Sequence, residues 1–197
     1  MKRVITTALG LCLALTLIAG PLAAATRYVL DPEGSNVDFY YRFSGNEVQG
    51  TIPVTSTELF LDFQNVTNSR VSVTLDVTGA RAGFVFATQA MKGPTVLDAE
   101  NHPEIRFQAT RFLQSGNIAL VSGQLTLHGV TRPITLRAQL FRAQGTQDQD
   151  FSRLVVRMTG ALSRQAFNAT GYKDLVGDEI RLDITAALTQ SSLTQSN

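Results

Sequence analysis

Residues 123–140 read G-Q-L-T-L-H-G-V-T-R-P-I-T-L-R-A-Q-L, and few folds accommodate that pattern. Leu125 and Leu127 alternate with Thr126 and His128. After Gly129, Ile134, Leu136, Ala138 and Leu140 alternate with Thr135, Arg137 and Gln139. An apolar residue at every second position puts one face of an extended strand inward. Two such runs on either side of a short glycine-containing turn predict a β-hairpin. Gly129 is the residue free to take the positive φ of a tight turn. Pro133 lacks an N–H, so it belongs at a strand start or where its nitrogen side faces solvent.

The same period recurs along most of the chain. Val37, Phe39, Tyr41 and Phe43 share a face, then Val48, Gly50 and Ile52, then Leu59, Leu61 and Phe63. Val71, Val73, Leu75 and Val77 alternate with Ser72, Thr74, Asp76 and Thr78, the cleanest run in the chain. Further strands are predicted at Ile105 to Ala109, Leu154 to Met158 and Ile180 to Leu188, with a brief one at Tyr28 to Leu30 ended by Asp31-Pro32-Glu33-Gly34. The period fails between Gly79 and Asn101. There Phe84 to Lys92 carries Ala87, Ala90 and Met91 and predicts one short helix, stopped by Gly93-Pro94. Eleven Phe and no Trp among 197 residues accompany abundant Val, Thr and Leu, a composition that suits strands. The fold class is therefore mainly all-β, an antiparallel barrel or sandwich of eight or more strands with one helical insert. A chain without a Cys…Trp…Cys core has nothing that favours an immunoglobulin sandwich.

Residues 1–25 have the three parts of a secretory signal. Lys2 and Arg3 are the charged start, Val4 to Ile18 the apolar stretch, and Ala23-Ala24-Ala25 the small-residue site. Cleavage is expected before Thr26, with the domain over 26–188 and a polar tail, 189–197, read as disordered. Cys12 lies inside the apolar stretch, so the exported chain would carry no thiol. Formal net charge is +1, and −1 without Lys2 and Arg3, which gives no nucleic-acid-binding surface.

The wording of the hairpin goes further than its period. Gly123-x-Leu125-Thr126-x-His128-Gly129-Val130-Thr131-x-Pro133 resembles the central signature of the YceI-like family of secreted bacterial β-barrel proteins. Leu30-Asp31-Pro32, Ser35-x-Val37-x-Phe39, Val48-x-Gly50, Asn101-His102-Pro103-x-Ile105-x-Phe107, Arg164-x-x-Phe167 and Val176-Gly177-Asp178-Glu179-Ile180 follow in family order. The resemblance implies a lipocalin-like barrel of about eight strands whose apolar lumen holds a polyisoprenoid chain. The expected function is a periplasmic, non-catalytic carrier of a long-chain isoprenoid lipid, of polyprenyl or prenyl-quinone type. The lipid is the ligand and no cofactor is expected. Transient contact with the membrane surface is a further option, and the number of subunits is left open. The inward-facing candidates are Phe39, Tyr41, Leu59, Leu61, Phe63, Val73, Leu75, Phe107, Leu125, Leu136, Met158 and Ile184. Periodicity alone leaves these as either lumen wall or filled core, so an envelope stress protein with a solid barrel and a lipid-modifying enzyme stay open as alternatives.

Two positions depart from the family. Gly34 and Phe43 stand where it often has His, so a polar head group would be held otherwise, or the ligand is more apolar. Asn168 stands where the family has Gly after the late Phe; Asn tolerates positive φ next best after Gly, so the turn can be kept. No nucleophile–base pair, phosphate loop or G-x-S-x-G elbow appears. The only histidines, His102 and His128, do not read as metal ligands with Cys, Asp or Glu, and both are taken as polar groups at turns.

Overall fold

A computed structural model describes residues 25–142 and 150–191. The expected signal segment, residues 143–149 and the end of the polar tail therefore lie outside the described residues. The strands are β1 (Thr26–Phe43), β2 (Asn46–Thr51), β3 (Val54–Leu61), β4 (Arg70–Asp76), β5 (Glu104–Ser115), β6 (Ile118–Leu127), β7 (Val130–Arg142), β8 (Arg153–Ser163) and β9 (Glu179–Gln190). The one α-helix among the described residues, α1, spans Val85–Lys92.

All the pairings are antiparallel, in the order β2-β1-β3-β4-β5-β6-β7-β8-β9, and β1 also pairs with β9. That last pairing closes an eight-stranded ring of β1 and β3 to β9, and closure removes the free edges an open sheet would expose. The ninth strand, β2, is a hairpin partner for the second half of β1, from Asp38↔Thr51 to Phe43↔Asn46. Length makes this double duty possible. The first residues of β1 pair with β3 (Thr26↔Leu61), its middle with β9, and its end with both β9 and β2.

The Asp31-Pro32-Glu33-Gly34 segment does not end the first strand. It forms a bulge between the Asp31↔Ala187 and Asn36↔Thr185 pairs, and β1 continues through it. The Asp31 carboxylate accepts the Glu33 N–H at 3.1 Å, and the Ser35 hydroxyl accepts the Ala187 N–H at 2.9 Å. The turn chemistry was legible, but local groups plus the β9 ladder absorb it as an irregularity. At the other end of the chain, Thr189 and Gln190, read as tail, are strand residues paired with Val29 and Tyr28. The extra length of β1 supplies their partners.

The β6–β7 hairpin has the predicted form. Leu127 pairs with Val130 across a two-residue turn in which His128 (φ 50°) and Gly129 (φ 71°) are both left-handed. Positive φ at both central residues matches the right-handed twist of the flanking strands. Asn168 is also left-handed (φ 61°), so the late turn is kept without glycine.

Candidate functional site: an apolar barrel lumen

The inward faces of the ring enclose a cavity of about 1050 Å³. Ligand cavities commonly run ~300–1,000 Å³, so this is a large one. At ~30 Å³ per water in the liquid, it equals the space of roughly 35 waters. All twelve residues named from the sequence line it: Phe39, Tyr41, Leu59, Leu61, Phe63, Val73, Leu75, Phe107, Leu125, Leu136, Met158 and Ile184. They come from every ring strand, because alternation places each strand's second residues on one face and closure turns those faces inward.

The burial of β4 shows that the interior is hollow. Val71, Val73 and Leu75 are only half-buried, although each lines the interior. Their exposed area is lumen surface. In a solid barrel the cross-strand pairs Val73↔Phe107 and Leu75↔Ile105 would have no accessible area on that face. Small clusters pack the wall locally, around Val77, Leu97, Ile105 and Leu127 near one end and Tyr28, Leu59, Leu154 and Leu188 near the other.

Two polar groups at the lumen, the Tyr41 hydroxyl and the Arg164 guanidinium, are engaged by the protein. The Tyr41 hydroxyl donates to the Ala82 carbonyl at 2.9 Å, and burial raises its pKa above the ordinary phenol value. Arg164 is 4 % exposed. Its guanidinium donates to the carbonyls of Gly171 (2.8 Å), Val176 (2.9 Å), Gly177 (2.9 Å) and Ala169, which ties the 164–177 segment into a compact cover. Burial lowers the pKa of Arg164, while the Asp178 carboxylate opposes that shift.

At this end α1 turns Ala87, Ala90 and Met91 to the cavity and leaves Val85 (70 %) and Phe86 (80 %) exposed. Phe84, Tyr172 and Leu175 are exposed beside them, and Phe43 packs on Phe84 with ring centroids 5.6 Å apart. Phe84, Phe86, Tyr172 and Leu175 also belong to the cavity lining, so the apolar interior continues onto an apolar lip. Phe43, where a His was expected from the family, contributes to that lip. Sequence reading missed Phe84, Phe86, Tyr172 and Leu175 because helix and loop positions carry no period of two. Their one visible signal was a Phe-rich helix start, Gly83-Phe84-Val85-Phe86, with no polar side-chain cap.

Gly34 sits in the β1 bulge, where a Cβ would approach the Ala187 Cβ to 2.7 Å. A histidine there would require the bulge to move. Asp98, His102 and His128 form a second polar cluster, outside the lumen, which the linear spacing had not suggested.

The model of the YceI-like domain matches residues 28–188. A UPF0312 protein of Vibrio parahaemolyticus is 31% identical over 140 residues, covering 69% of this chain and 73% of the relative. Protein YceI of Salmonella newport is 26% identical over 180 residues, covering 90% and 94%. Among solved structures, Burkholderia cenocepacia BcnA superposes with a TM-score of 0.72 at 19% identity, covering 81% of this chain and 99% of that one. A polyisoprenoid binding domain from Saccharophagus degradans gives 0.62 at 13% identity, covering 84% and 99%.

Proposed function

The chain belongs to the YceI-like family, and from that premise we propose that it is a periplasmic carrier that holds a long-chain isoprenoid lipid in its lumen without transforming it. The observation that carries this reading is the continuous apolar cavity of about 1050 Å³ bounded by strands of a closed barrel. A prenyl chain is driven out of water at about 0.8 kcal/mol per buried CH₂, and a lumen of this size accepts a few tens of carbon-sized groups. Similarity in fold to a polyisoprenoid binding domain supports an isoprenoid as the ligand class. The Tyr41 hydroxyl and the Arg164 guanidinium are committed to backbone carbonyls, which favours binding over chemistry. The lip of Phe84, Phe86, Tyr172 and Leu175 supports lipid entry at that end, with transient contact to a membrane surface.

The test is mass spectrometry of the protein purified from the periplasm of the expressing cell. The expected result is an N-terminus at Thr26 and a co-extracted lipid with the mass ladder of an isoprenoid. Protein that starts at Met1, or extracts that hold only ordinary phospholipid at sub-stoichiometric levels, would overturn the carrier reading.

A further inference from the structure

We propose that Asp98, His102 and His128 form a binding site for a divalent transition-metal cation of the zinc type, and that the cation latches the segment covering one end of the barrel. This goes beyond lipid carriage and does not depend on it. The chain has two histidines in 197 residues, and the fold brings both to one place. Their rings meet edge to face with centroids 5.5 Å apart. One nitrogen of each ring and one carboxylate oxygen of Asp98 all lie within 4.8 Å of one another. Zinc ligands sit ~2.0–2.2 Å from the ion, so side-chain rotations on the order of 1 Å close the set around it.

A second observation points to a ligand. Nδ1 of His128 is buried and has no hydrogen-bond partner. Buried polar atoms are nearly always satisfied, and an orphan of this kind asks for an occupant. The carboxylate is already oriented, because the Asn101 side-chain amide donates to both oxygens of Asp98 at 3.1 and 3.0 Å. A hydrogen bond of that type holds a metal-ligating carboxylate in place. Asp98 and His128 both have left-handed backbone, at φ 50°, a conformation that costs free energy for residues other than glycine. Gly129 makes room for the arrangement, since a Cβ there would stand 2.8 Å from the His102 ring. Two imidazoles and one carboxylate select borderline cations over Ca²⁺ or Mg²⁺, which require more oxygens, and leave a position for water.

The position gives the site its consequence. Asp98 and His102 lie in the 93–103 segment between α1 and β5, and His128 is in the β6–β7 turn. Leu97 and Leu127, each one residue before a ligand, line the lumen. Gly171 of the Arg164-tied cover donates its N–H to Thr95 in the same segment at 2.8 Å. A bound cation would cross-link this covering segment to the barrel wall.

The experiment uses chain purified without a histidine tag, stripped with chelator, and titrated with Zn²⁺ and with Co²⁺. The expected results are one Zn²⁺ per chain, a higher melting temperature with Zn²⁺, and a visible Co²⁺ absorption band from nitrogen and oxygen ligands. His128→Asn is the decisive variant, because Asn-Gly is the preferred pair for this turn and the apo fold is kept. Asp98→Asn likewise tolerates the left-handed backbone. Both should melt like the unmutated apo protein and bind Zn²⁺ at least tenfold more weakly. Absence of saturable 1:1 uptake, or uptake unchanged in His128→Asn, would overturn the site.

Discussion

Gly129 does two jobs at one position. It accepts φ 71°, and it leaves the space that the His102 ring fills. Gly129→Val should lose stability on both counts, because a β-branched side chain resists positive φ and its Cβ would meet the ring. The expected loss is about 1–3 kcal/mol, read as a lower denaturant midpoint; an unchanged midpoint would mean that the turn tolerates a side chain there. Arg164 shows the converse case of a residue whose charge is used for structure. Its donors reach four backbone carbonyls of a segment without regular strands, so a cation buried at the lumen edge holds a cover in place.

At the scale of the element, β4 is where a hollow and a filled barrel differ most. Leu75 lies on its inward face, pairs with Ile105 and Val54, and is half-buried against the cavity. A larger side chain in a packed core would cost about 1–3 kcal/mol through strain. At Leu75 the ring of Leu75→Phe has the lumen to enter. The apo variant should therefore unfold at a near-normal midpoint and bind a long prenyl lipid more weakly. Leu75→Ala should cost less than the ~2–5 kcal/mol typical of a filled core, because one side of Leu75 already faces empty space. A large stability loss for Leu75→Phe would mean that β4 packs against a solid interior. The helix α1 is held from both ends: the Thr88 hydroxyl accepts the Ala82 N–H at 2.9 Å and donates to the Phe84 carbonyl at 3.0 Å, while Lys92 donates to the Thr78 carbonyl. That anchoring lets a short helix keep Val85 and Phe86 turned out to solvent.

For the whole molecule, the response to acid follows from carboxylates that the fold holds ionised. Asp62, Asp76, Asp150 and Asp178 all have pKa values below the ordinary 3.8. The largest causes are the Asn65 N–H for Asp62 and the hydroxyls of Thr78, Ser152 and Ser163 for the others. The unfolded chain therefore takes up protons at a higher pH than the native one, so stability falls as pH drops. The contribution of these groups is complete above about pH 5 and is lost as pH falls through 3.8 toward their folded values. Urea midpoints should be level near neutrality and decline below about pH 4. Asp62→Asn should flatten that decline, since Asp62 organises the turn after β3 by accepting the Gln64 and Asn65 N–H groups and the Asn68 amide. A midpoint indifferent to pH down to 3 would contradict the assignment.

Alternation by itself determined the strands, their inward faces and the β6–β7 hairpin, because a period of two is a local property written at adjacent positions. It also placed α1, where that period fails and helix formers replace it. The identity of the twelve lumen residues followed from the same rule, but whether they surround space or one another did not. That depends on how many strands close the ring and how they tilt, a relation among residues as distant as Tyr28 and Gln190. The continuation of β1 through Pro32 was likewise decided by β9, which supplies a ladder on both sides of the bulge. The apolar lip joins Phe43, Phe84 and Leu175, and the Asp98, His102 and His128 cluster joins two turns, with no periodic signal to link either set in sequence. Such sites are made by the tertiary fold, which alone brings one loop's side chains within reach of another's.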